Sequence, residues 1–284
     1  MISKYLYFPG CKIPSFLPQY DHSTRAVLTV FDIELDDSEL NCCGYPVRHR
    51  HMTAAVFSAA RILALAAQKR LPIMTPCKCC YGNLKYADHW LRNNVELRRQ
   101  VNNLLQSEDL VWTEGVTVRH LLSALAEDVG VEKLRTAVVK SLSGIKVAAH
   151  YGCHALRPGN VTQFDNPLAP TIFENLIEAT GATAVEWPLR LECCGHPVWE
   201  KNGQLSLTLM TRKLVDAQAG GADLLATACT YCQMQFDAVR KEHLDGGQMI
   251  ESLPAVLYPQ LLGLSLGISR SELGLDENYI RWEI

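Results

Sequence analysis

The sequence predicts an α/β protein built as two pseudo-symmetric, Rossmann-like halves with parallel sheets. Three observations lead there. One pattern of cysteines is written twice along the 284 residues. Short apolar runs alternate with segments of helical periodicity, as in strand–helix–strand units. The cysteine motifs fall where the apolar runs end, which is where open parallel sheets place their binding sites.

The repeat comes first, because self-similarity decides how the rest is read. Cys11 is followed after 30 residues by Cys42-Cys43-Gly44, and after 33 more by Cys77-x-x-Cys80. Cys153 is followed after 39 residues by Cys193-Cys194-Gly195, and after 34 more by Cys229-x-x-Cys232. The flanks repeat too: Cys-Cys-Gly-Tyr-Pro-Val at 42–47 matches Cys-Cys-Gly-His-Pro-Val at 193–198, and Phe-Pro-Gly before Cys11 resembles His-Tyr-Gly before Cys153. Each glycine after a cysteine pair would let the backbone turn tightly around a bulky group.

Taken in order, residues 4–8, 71–75, 146–149, 184–187 and 224–228 read as buried strands. Met52–Lys69 places Ala55, Val56, Ala59, Ile62, Leu63 and Ala66 on one helical face. Residues 205–219 do the same with Leu205, Leu209, Met210, Leu214 and Ala217, and Gly220-Gly221 stops them. Residues 171–180 make a further helix closed by Gly181. Residues 104–143 read as a bridge with helical stretches at 118–128 and 131–141, and 253–267 as a docked C-terminal helix. The expected domains are 1–143, with the helical bridge, and 144–284, with the C-terminal helix.

Composition narrows the function. With 27 basic and 30 acidic residues and a net charge of -3, no basic excess points to nucleic acid. The longest purely apolar run, 62–67, is far too short to span a bilayer, and the N-terminus has no apolar leader segment; the expectation is a cytoplasmic protein with no direct membrane span. No GxGxxG turn and no P-loop occur. Cysteine is the outlier, at 11. Adjacent pairs and an odd total suit a disulfide framework poorly, so metal ligation or redox chemistry is the better reading. A tetrahedral zinc site wants four ligands, as does a cubane cluster, and neither explains five. Adjacent thiolates can bind different irons of one extended cluster; a structural zinc using four of the five remains the alternative.

The twofold pattern Cys…Cys-Cys-Gly…Cys-x-x-Cys resembles the CCG-domain family, whose type member is the B subunit of heterodisulfide reductase, and the ending PAVLYPQLLGLSLG is similar to the family's. The resemblance implies two CCG domains, with a noncubane 4Fe–4S cluster in each at the C-terminal ends of the strands. Cys11, Cys42, Cys43, Cys77 and Cys80 would hold the first, and Cys153, Cys193, Cys194, Cys229 and Cys232 the second. One cluster plus one structural zinc is the alternative loading. Cys79, matched by Tyr231 in the second copy, is left as a buried small residue or an alternative ligand.

The implied reaction is reduction, or formation, of a disulfide between the clusters by an oxidoreductase subunit, each site handling one sulfur and one electron. His154 and His196 are the candidate proton carriers, with His150, His49 and His51 nearby; the plainer alternative is that they shape the pocket. Arg48, Arg50, Lys78 and Arg157 either attract anionic substrate groups or are ordinary solvated charges. No ferredoxin-type CxxCxxCxxxCP run occurs, so electrons must come from another polypeptide. The resemblance implies a ferredoxin-like two-cubane partner of the family's C type, fed by a flavin-binding partner of its A type. A competing reading is an electron-transfer or anchoring subunit passing electrons to quinone beside a dehydrogenase. Residues 92–106 are its candidate interfacial helix.

Overall fold

A computed structural model describes residues 2–245 and 253–282. The chain forms two four-stranded sheets, every pairing parallel. The first holds β1 (Lys4–Tyr7), β2 (Glu34–Asp36), β3 (Ile73–Thr75) and β4 (Val118–His120), in the order β2-β1-β3-β4. The second holds β5 (Lys146–Ala149), β6 (Thr183–Val185), β7 (Leu224–Thr227) and β8 (Ala255–Leu257), in the order β6-β5-β7-β8. The two orders are the same, so the duplicated sequence folds as a duplicated α/β unit.

Parallel pairing forces crossovers, and helices supply them by burying one face on the sheet. Met52–Lys69 forms as expected and buries all six of the forecast face residues. The matching helix, Gly203–Ala219, differs. It buries Ser206, Met210, Lys213, Leu214 and Ala217, whereas Leu205 is exposed and Leu209 only half-buried. Its inner face carries a hydroxyl and an ammonium because it packs against the backbone of the second cysteine loops, where Ser206 Oγ donates to Gly195 O at 3.0 Å.

Three strands escape the sequence reading. β2 is three residues long and at most half-buried, so it leaves no apolar run to find. Residues 118–128, expected as helix, begin as β4; only from Leu121 does the chain become helical, continuing in wider π-type turns over Ala124–Gly130. The C-terminal run holds β8 before its helix, Tyr258–Ser265. The stretch 131–141 is helical only over Val131–Thr136. The candidate interfacial segment 92–106 is also a correction. One helix ends at Asn93, and the next, Val95–Leu105, buries Leu97, Val101 and Leu105 in the core; its exposed apolar residues, Val95 and Leu104, lie on opposite sides and make no common face.

The halves meet on a seam that His120, the last residue of β4, occupies. Its Nδ1 accepts from Leu122 N at 3.1 Å, which fixes the proton on Nε2. Nε2 lies 3.0 Å from Pro76 O and 3.1 Å from Ala228 O, the residues that immediately precede Cys77 and Cys229. One ring thus bridges equivalent carbonyls of the two copies. Burial, helped by the nearby Lys78, pushes its pKa down to about 3. The unfolded chain titrates near 6.5, so the neutral ring's contribution is intact above that value and is lost progressively as pH falls toward 3. We expect His120→Leu to lower stability by about 1–3 kcal/mol in chemical denaturation, because Ala228 O loses a buried donor while Pro76 O keeps the Tyr20 hydroxyl at 2.6 Å. The variant should also lose less stability than the parent on acidification below about pH 6.5.

Candidate metal centre

Every predicted cysteine ligand sits beyond the C-terminal end of a strand. Cys11, the Cys42–Cys43 pair and Cys77 follow β1, β2 and β3; Cys153, the Cys193–Cys194 pair and Cys229 follow β5, β6 and β7. Cys77 and Cys229 are N-caps of the helices beginning at Lys78 and Thr230, and the first turn of each brings in Cys80 or Cys232. Gly44 and Gly195 sit at φ +86° and +94°, where a side chain is strained. A Cβ at Gly44 would approach Ala55 O to 2.7 Å, and one at Gly195 would approach Ser206 O to 2.6 Å. The cysteine-pair loops are therefore pressed against the long crossover helices with no room for a methyl group.

Within each half the five thiols form a chain of contacts in the same order. In the first, Cys11 Sγ lies 3.9 Å from Cys42 Sγ, Cys42 meets Cys43, Cys43 meets Cys80 and Cys80 meets Cys77. In the second, Cys153 meets Cys193, Cys193 meets Cys194, Cys194 meets Cys232 and Cys232 meets Cys229. Cys77 and Cys229 touch across the seam, so the two rows of thiols are joined end to end. None of the eleven cysteines is in a disulfide. Each adjacent pair is polarised. Cys42 is raised and Cys43 lowered, each chiefly by the hydrogen bond between them. Cys193 falls to about 2 through hydrogen bonds from Cys153 and Cys194, while Cys194 is raised by Cys193.

Each set lines its own small cavity. Cys79 and Tyr231, the matching middle residues of the two CxxC turns, line both cavities and form the wall between them. Cys79, Cys77 and Cys229 place their sulfurs within 4.8 Å of one another. His150 Nε2, 3.2 Å from Cys232 Sγ, makes a similar group with Cys194 and Cys232. A donor set of eleven soft sulfurs and one imidazole, with no carboxylate among these groups, suits thiophilic metals such as iron–sulfur clusters or zinc.

The histidines separate. His154 Nδ1 lies 3.2 Å from Cys153 Sγ and 3.7 Å from Cys79 Sγ, and its ring meets Tyr45 edge-on at 4.8 Å. His196 is tied through Nδ1 to Gln235 Oε1 at 3.2 Å and stands over Tyr231 at 5.0 Å. Burial lowers the pKa of both. Together with the Tyr45–Tyr231 contact they make a row of four rings across the seam. His49 and His51 are exposed and take no part in it.

Of the cations, Arg50 and Arg157 are exposed, and Arg48 stacks over Tyr45 and Tyr86. Lys78 is neither a surface charge nor open to an approaching anion: it is 1% exposed. Lys213, equally buried, was missed because a lysine on a helix reads as solvent-facing; burial lowers its pKa to about 8. Tyr45 and Tyr231 could have been found as the residues that vary inside otherwise matching motifs.

A family model described as a cysteine-rich CCG domain matches twice, at residues 5–85 and 147–237. The B subunit of the ferredoxin/F420H2-dependent CoB-CoM heterodisulfide reductase of Methanosarcina acetivorans is 31% identical over 99% of this chain and 95% of its own. The membrane anchor subunit of 8-methylmenaquinol:fumarate reductase of Wolinella succinogenes is 34% identical over 99% and 98%. A crystal structure of a hypothetical protein from Helicobacter pylori superposes with a TM-score of 0.81 at 16% identity, over 99% of this chain but 52% of that one, a likeness of fold.

Gly195→Ala should leave the far-UV spectrum of the chain in place but cut metal content by roughly half. The left-handed backbone penalty of about 1–2 kcal/mol and the clash fall on one loop only. Metal analysis of the purified variant checks this, and full loading would contradict the tight-loop account.

Proposed function

The chain belongs to the CCG cysteine-rich-domain family, and from that premise we propose that it is the disulfide-handling iron–sulfur subunit of a heterodisulfide reductase-like complex. The observation that carries the proposal is the seam: two five-thiol sets in the same order, meeting at Cys77 and Cys229, with one wall of Cys79 and Tyr231 between their cavities. Cleaving one S–S bond, with one electron to each sulfur, calls for two like sites facing one place. Cys11, Cys42, Cys43, Cys77 and Cys80 would hold one noncubane 4Fe–4S cluster, and Cys153, Cys193, Cys194, Cys229 and Cys232 the other. When bound, the clusters supply one electron each and the iron sites at which the two sulfurs part.

The chain's own residues do the rest. The glycine-turned loops set the thiols at fixed spacing, and the row of rings excludes water from the seam and offers flat apolar walls to a small disulfide. His154, with Nδ1 3.2 Å from Cys153 Sγ and 3.7 Å from Cys79 Sγ, would deliver a proton to a departing thiolate. His196, held by Gln235, is a positioning group for Tyr231. With no ferredoxin-type motif in the sequence, the electrons come from a ferredoxin-like partner and, upstream, a flavin-binding one.

Anaerobically purified protein should contain about eight irons and eight labile sulfides, as two four-iron clusters require. Roughly four of each with one zinc would mean that only one set holds a cluster, and His150 with Cys194 and Cys232 is the group to suspect. With reduced viologen as donor, the loaded chain should cleave a mixed disulfide of two different small thiols, and Cys193→Ala should abolish turnover. Full-rate reduction by that variant would sink the mechanism.

The relative named as a membrane anchor favours a second reading, electron transfer to quinone. Among the described residues no helix is long and apolar enough to cross a membrane. Reduction of a soluble menaquinone analogue, with disulfides left untouched, would select that reading.

A further inference from the structure

The two cavities are not walled by the same chemistry. Aligned on their cysteines, the copies set Thr230 against Lys78 and Ile62 against Lys213. Across the seam the CxxC turns are exchanged: Thr230, from the second copy, lines the first cavity, and Lys78, from the first copy, lines the second. Lys78 Nζ donates to His150 O at 3.1 Å and Tyr151 O at 3.0 Å, and lies 5.5 Å and 5.0 Å from the ring centres of Tyr151 and Phe173. Carbonyl oxygens and π faces are the surroundings of an ammonium ion.

Lys213 adds a second buried cation on the same side. It donates to Leu189 O, lies 4.7 Å from the Trp187 ring centre, and feels Cys232, Cys194 and Cys193. Two acids face these lysines: Glu174, near Lys78, is already engaged by Arg190 and by the Tyr151 hydroxyl, and Glu192, near Lys213, is an exposed carboxylate that solvent screens. Among the described residues the first cavity has no such pair. Thr230 Oγ1 is buried and unpartnered, Ile62 is fully buried, and the cation that lines it, Lys12, is part-exposed beside the open Phe16 ring, where solvent screens it.

We propose that Lys78 and Lys213 make the two metal sites inequivalent, holding the second-copy site at the higher reduction potential so that it takes up the first electron. This rests on the reading of both sets as iron–sulfur sites. Each site gains one electron from an external one-electron donor, and the pair then supplies the two electrons that, with two protons, convert a disulfide into two thiols. A buried cation stabilises the added negative charge, whereas a hydroxyl contributes only a dipole.

The test is a potentiometric titration of the anaerobic loaded chain with dithionite, followed by electron paramagnetic resonance, with Cys194→Ala used to assign the second-copy signal. Two midpoint potentials are expected, the higher on the second copy. Lys78→Met should lower that one alone, by about tenfold in the reduced-to-oxidised ratio at fixed potential, or about 59 mV for one electron. Lys78→Arg should restore it, and Lys213→Met should move the same signal in the same direction. The higher potential on the first copy, or lysine variants that shift both signals alike or neither, would overturn the inference. If iron and labile sulfide are complete in both sets, such a result leaves the proposed function standing. A chain without labile sulfide would overturn both.

Discussion

Ten thiols gathered at one seam repel one another as they ionise and would splay the halves apart unless something apart from the metal held them. His120 does that. Its Nε2 proton is shared between Pro76 O and Ala228 O, and those residues lead directly into Cys77 and Cys229. The bond is buried, the ring is kept neutral by its surroundings, and the Tyr20 hydroxyl secures Pro76 O from the first half as well. Lys78 reinforces the junction from the other side by donating to His150 O and Tyr151 O, and the Tyr81 hydroxyl reaches Thr162 O at 2.6 Å. The cysteine geometry is thus set by hydrogen bonds to backbone carbonyls, which cannot change rotamer.

From this junction the rest follows outward. Parallel strands put their C-terminal ends on one side, so the loops carrying cysteines share that side. The crossover helices press on the loops so closely that only glycine fits at positions 44 and 195. The polarised pairs, Cys42 with Cys43 and Cys193 with Cys194, show that the thiols are near enough to share protons. Bound metal would replace those protons and relieve the repulsion among thiolates.

Much of this was legible in the sequence. The α/β class, the duplication and the face of Met52–Lys69 follow from spacing and period alone. What was not legible has physical causes. β4 is three residues long, offers Val118 as its one apolar residue and runs straight into a helix, so it merges with the helical pattern; β8 lies inside a uniformly apolar run in which strand and helix cannot be told apart. The inner face of Gly203–Ala219 was misread because Ser206 and Lys213 look like surface residues. Both are buried since each has a carbonyl to donate to, Gly195 O and Leu189 O. Polar residues on a core face are where local rules give way to a site. The inward turn of Lys78 depends on the other half of the chain, which no local pattern encodes.

The exchange of the CxxC turns has a consequence for how such a protein can diversify. Two identical protomers related by a twofold axis would carry the same side chain at both turns, so any change beside one cavity would be copied beside the other. Joining the copies in one chain removes that obligation. Position 78 can be lysine while position 230 is threonine, and the symmetry of the thiols survives beside an asymmetry of charge. Covalent fusion here separates what the fold must keep equal from what it is free to make different.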